Sequence, residues 1–168
     1  LRKEDFKEVI QEHSKPGQLN ILYKVDIKQH LELSNQEKQR VLPAFQLLSR
    51  RMSNAFRLSG REDQAEIIGV INDFFDVCNS RTAFHFNPLK TGFGKNLGVQ
   101  LKAIEDMREL LMGMKVNQSG TRRRLAKMPF QKGLIIAIKS ILHLKEELQL
   151  GQDTYLLLSK VGFYLIGR

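Results

Sequence analysis

Cysteine, acidic charge and long apolar runs are scarce in this chain, and each scarcity removes a class of protein. A lone cysteine, Cys78, excludes an internal disulfide and any cysteine-rich zinc site, and it fits a reducing cytosol or nucleus. No stretch approaches the roughly 18 apolar residues that a membrane-spanning helix needs. Leu1-Arg2-Lys3-Glu4-Asp5 lacks the apolar segment of a secretory signal, and a chain opening on Leu1 is expected to be a fragment of a longer one. Acids number 18 against 27 Lys and Arg, a formal net charge of +9 that favours polyanionic partners.

At 168 residues, 42% hydrophobic and 27% charged, the chain has the composition of one globular domain. The basic excess is local. Between Leu110 and Lys145 stand Lys115, Arg122, Arg123, Arg124, Lys127, Lys132, Lys139 and Lys145, with no acid among them. Contacts to phosphates and a solvated loop both account for Arg122-Arg123-Arg124, and the run lacks the interleaved aromatics that would stack on bases.

Hydrophobic periodicity predicts helices. Lys3 to Gln11 buries Phe6, Val9 and Ile10 and stops at Ser14-Lys15-Pro16-Gly17. Leu19 to Leu33 mixes strand and helix spacing. Ser34 to Glu37 reads as a capping box ahead of one helix with Val41, Phe45, Leu48, Met52 and Ala55 inward, which Pro43 kinks or delays and Ser59-Gly60 closes. Further helices are predicted over Glu62 to Cys78, Asn96 to Lys115 and Pro129 to Gln149. The tail from Tyr155 is left as strand, short helix or frayed end. The predicted fold is all-α, an irregular helical domain of four to five main helices.

Motifs for familiar chemistry are missing: there is no phosphate loop, no nucleophile elbow and no paired zinc ligands. Gly92-Phe93-Gly94-Lys95 precedes a helix and reads as a phosphate-holding entry or as a flexible loop. Asp73 and Asp76 share a helix turn, as metal carboxylates or as a solvated acid beside a local hydrogen-bonding one. Asp76 and Asn79 share a face and offer an acceptor and an amide to one ligand.

Phe75-Asp76-Val77-Cys78-Asn79-Ser80-Arg81, with Asn87-Pro88-Leu89-Lys90 downstream and Pro129-Phe130-Gln131-Lys132-Gly133-Leu134 opening the last helix, resembles the P element transposases. That family includes relatives with a THAP-type zinc finger. Residues 1–18 are expected to be a linker helix, and the resemblance implies that 19–160 are a GTP-binding insertion domain set in an RNase H-like catalytic domain of the parent protein and 161–168 a divergent or truncated tail. It implies GTP with Mg2+ as an assembly cofactor for transposon-end DNA, not hydrolysed to drive the reaction, in a nuclear parent that acts as a DNA transposase and can form a homo-oligomer.

By the same resemblance Phe75 packs on guanine, Asp76 accepts its N–H groups and Asn79 supports them. Arg40, Val41 and Ser49 fill the phosphate role, with Lys24 or Lys28 as the second cation. The family's last catalytic acid has no counterpart in Val161 to Arg168, so no catalytic residue is expected here. The open alternative is a nucleotide-independent basic helical module that binds DNA or protein through the 115–145 surface, including Arg122, Arg123, Arg124, Lys127 and Lys132. A third reading is a degenerate remnant that folds and binds nothing.

Overall fold

The computed structural model describes residues 1–15, 20–34, 36–37, 41–114, 128–151 and 153–158. Among these the chain is all-helical: α1 (Lys3–His13), α2 (Ile27–His30), α3 (Val41–Leu47), α4 (Arg50–Leu58), α5 (Glu62–Cys78), α6 (Leu97–Gly113) and α7 (Pro129–Glu147), with a 3-10 turn at Pro88–Lys90. Its extended pairing is a bridge between Phe93 and Leu156. No described helix is long and apolar enough to cross a membrane. Two compact units, Leu1–Asn72 and Asp73–Arg168, divide the chain within α5.

In the first unit α1 is anchored by its apolar face. Phe6, Val9 and Ile10 join Leu22, Met52, Ala55, Phe56, Ala65 and Ile68 in one core. Phe6 meets Phe56 edge-on at 5.1 Å, the favoured arrangement for aromatic quadrupoles. Arg61 ties the outer face to Asp5 at 3.4 Å and to Glu8. Inside, the Ser53 hydroxyl donates to the Ala65 carbonyl at 2.7 Å.

The helix expected to run unbroken through Val41, Phe45, Leu48, Met52 and Ala55 is two helices. Ser49 leaves the helical conformation and caps α4, accepting from Met52 N–H at 3.4 Å while its hydroxyl donates to the Gln46 carbonyl at 2.8 Å. Pro43 falls in the first turn of α3, where its missing N–H costs nothing. The Ser34–Glu37 box forms, with Ser34 N–H and hydroxyl donating to Glu37 at 2.9 and 2.7 Å. Leu19 to Leu33 resolves, where described, into turns and the short α2, capped by Asp26.

The second unit buries Phe74, Val77, Phe93, Ile104, Met107, Leu111, Ile138 and Leu158. Its predicted helices stand close to where periodicity set them, and Pro129 opens α7 as its first residue. Gln131 bridges the two long helices by donating to the Leu111 carbonyl at 3.1 Å.

The loop between α5 and α6 is fastened by side-chain and backbone hydrogen bonds. Gln100, fully buried on α6, accepts from Gly94 N–H at 3.0 Å and donates to the Thr91 carbonyl at 3.1 Å. Phe93 and Leu156 exchange backbone hydrogen bonds at 2.7 and 2.9 Å. Gly94 sits at φ +120, and a Cβ there would lie 2.8 Å from the Thr154 carbonyl oxygen, so the position needs glycine on two counts.

Candidate functional site

α5 ends by delivering a buried carboxylate. Asp76 is 5% exposed, a burial that a charged group tolerates only with partners. The Asn87-Pro88-Leu89-Lys90 segment supplies them from both ends of its 3-10 turn. Asn87 Oδ1 caps the turn by accepting from Leu89 N–H at 3.0 Å, and its Nδ2 donates to Asp76 Oδ2 at 3.2 Å. Lys90 brings its ammonium to 3.4 Å from Asp76 Oδ1. Asp76 thus has an N–H donor of the protein on each oxygen, the pairing that its burial requires.

Phe75 precedes Asp76, half-buried, with its ring 6.1 Å from that of Phe74. Asn79 is exposed, and its Nδ2 donates to the Phe75 carbonyl at 2.9 Å, back into the helix end. The amide that reaches Asp76 is therefore that of Asn87. Residue spacing within α5 could not reveal it, because the contact spans the loop. The available signal was Asn-Pro, which favours a capped turn. Cys78, in the same helical turn, has its thiol pushed by burial up to about 12, so it is protonated at neutral pH rather than held as an activated thiolate.

The residues assigned to phosphate lie in the first unit's sequence. Lys24 is exposed, its ammonium 5.6 Å from the Tyr23 ring centre. Arg51 lies over the same ring at 4.6 Å, and its hydrogen bond holds the Tyr23 hydroxyl below its ordinary pKa. Lys28 is exposed in α2, with its N–H on Asp26 at 2.8 Å. Val41 begins α3, and Ser49 is the cap of α4. Arg40, Arg122, Arg123, Arg124 and Lys127 lie outside the described residues; Lys132 is exposed on α7.

Comparison with known proteins adds a relative by shape. No family model and no curated protein matches the chain. A solved structure does: the Drosophila P element transposase strand transfer complex, at a TM-score of 0.79 and 25% sequence identity, over 99% of this chain and 39% of that one. The chain therefore spans well under half the length of that transposase chain, and its fold is P element transposase-like.

Proposed function

We propose that the chain is the GTP-binding insertion domain of a P element-like, THAP-related DNA transposase, and that Asp76 and Phe75 take the guanine. The observation that carries this is the fold shared with a P element transposase, in which α5 runs through the Phe75-Asp76 pair that the resemblance assigns to guanine. The Asn87 amide and the Lys90 ammonium occupy the oxygens that the N1–H and exocyclic amine of guanine would use, so guanine would have to displace them or share those oxygens with them. Adenine presents an acceptor at N1, so a carboxylate there selects guanine.

For the phosphates and Mg2+ the reading keeps the residues that the resemblance implies: Lys24 or Lys28, Arg40, Val41 and Ser49. Bound GTP would order the domain for assembly on transposon-end DNA in the nucleus. The chemistry of strand transfer would belong to an RNase H-like part of the parent, with no catalytic residue in this chain. Support for DNA as the partner is the strand transfer complex named for the similar structure.

The test is isothermal titration of the chain and of Asp76→Asn with GTP. A charged acceptor is worth roughly 1.5–3 kcal/mol, so the substitution is expected to weaken GTP by about tenfold or more. An unchanged affinity in a folded variant would end the guanine assignment.

A second reading rests on α7, where Lys132 and Lys139 are exposed within the acid-free 110–145 stretch. A nucleotide-independent DNA-binding module predicts steep loss of duplex affinity with salt whether or not GTP is present.

A further inference from the structure

The segment from Val77 to Ile104 contains no acid, four cations and four phenylalanine or histidine rings. Two of those rings are turned out to solvent. Phe84 is 78% exposed and Phe86 95% exposed, far beyond what a side chain seeking burial adopts. They are nevertheless held. Thr82 Oγ1 donates to the Phe84 carbonyl at 2.9 Å, and Asn87 N–H donates to His85 Nδ1 at 3.0 Å. The His85 and Phe86 rings lie 4.3 Å apart, inclined by 33°.

A cation is seated among the aromatics. Lys95 places its ammonium 5.0 Å from the Phe84 ring centre and 4.6 Å from that of Tyr155, both cation–π distances. The Phe93–Leu156 bridge lays Tyr155 over Gly92, where a Cβ would fall 2.4 Å from the ring. Phe84, Lys95, Thr91 and Asn96 line a cleft of about 360 Å³, with Asp153 as the acid on its wall. Of the four cations, Lys90 is engaged by Asp76 and Lys102 by Asp106. Arg81 and Lys95 form no ion pair among the described residues.

Exposed rings beside cations that form no ion pair among the described residues suit a ligand that is both flat and anionic. A single strand of nucleic acid is such a ligand, since every base has a stacking face and every linkage a negative charge. A duplex hides those faces, and an apolar protein surface would leave Arg81 and Lys95 unanswered. We propose that the 81–95 loop is a platform for an unpaired nucleic-acid strand, with Phe84 and Phe86 stacking on bases and Arg81 and Lys95 holding phosphates. The platform does not require guanine binding, although Asp76 holds Asn87 and Lys90 of the same loop.

Fluorescence anisotropy on the full chain tests this, with labelled oligodeoxythymidylate and oligouridylate of about 15 nucleotides and a duplex of equal length as probes. At least one single strand is expected to bind more tightly than the duplex, and the DNA and RNA arms identify the source. Phe84→Ala and Phe86→Ala should each lose about fivefold or more, whereas Phe84→Tyr and Phe86→Tyr keep the affinity. Lys95→Gln should lower the salt slope by about 0.7. Single-strand binding should be the same with and without added GTP and Mg2+, so this result is read independently of GTP. Alanine variants that bind like the parent at an unchanged melting temperature, or a preference for duplex, would overturn the platform. A change in sedimentation with no change in oligonucleotide affinity would also overturn it, assigning the rings to a protein interface.

Discussion

Asn87 and Asp76, eleven positions apart in the chain, are joined by an amide-to-carboxylate hydrogen bond of 3.2 Å that fixes the 3-10 turn against the end of α5. Asn87 is spent twice there, since its Oδ1 also caps the turn. Asn87→Ala removes both bonds. The expected loss is about 1–3 kcal/mol, read as a lower urea midpoint with an unchanged slope.

Gln100 is the tie between α6 and the loop. Gln100→Leu keeps the volume but leaves the Gly94 N–H and the Thr91 carbonyl without their side-chain partner. Each buried group so abandoned costs about 1–3 kcal/mol. The variant is expected to lose several kcal/mol in denaturant titration, and a loss below about 1 kcal/mol would show that the loop is held elsewhere.

Gly94→Ala is expected to be worse tolerated than Gly92→Ala. At Gly94 both the positive φ and a backbone oxygen 2.8 Å away oppose a Cβ, whereas at Gly92 the obstacle is the Tyr155 side chain, which can turn. Thermal melts of the two variants should rank in that order.

Cys78 sets a difference in alkaline stability. Burial raises its thiol from 9.0 to about 12. Below 9.0 both folded and unfolded chains keep the proton, and the native state loses nothing. Above it only the unfolded chain ionises, so stability falls as pH rises toward about 12. Cys78→Ala should flatten this decline by up to about 1.4 kcal/mol per pH unit, measured as urea midpoints across the window.

Much of the helical architecture was legible because apolar spacing and its punctuation agree. Glu62 to Cys78 is a stripe opened after Ser59-Gly60, and α5 has those bounds. Pro129 announced α7 in the same way. The break at Ser49 was not legible, since the stripe from Val41 to Ala55 continues across it in steps of four and three while the cap depends on a single hydroxyl. At the candidate site, Asp76 stood out by sequence, but its partners did not. Asn87 and Lys90 reach it only once the loop is folded and fastened by Gln100, a long-range arrangement that local spacing cannot encode.

Whether Asp76 reads a purine edge is tested most directly by the affinity of the unaltered chain for GTP, ITP and ATP with Mg2+ in one calorimetric series. ITP keeps the N1–H of guanine and lacks its exocyclic amine, and ATP has an acceptor at N1 and no 2-amino group, so guanine's adjacent pair of donors shrinks to one and then disappears along the series. The account predicts tightest binding for GTP, intermediate for ITP and weakest for ATP. Equal affinities for the three, or ATP binding as tightly as GTP, would contradict it.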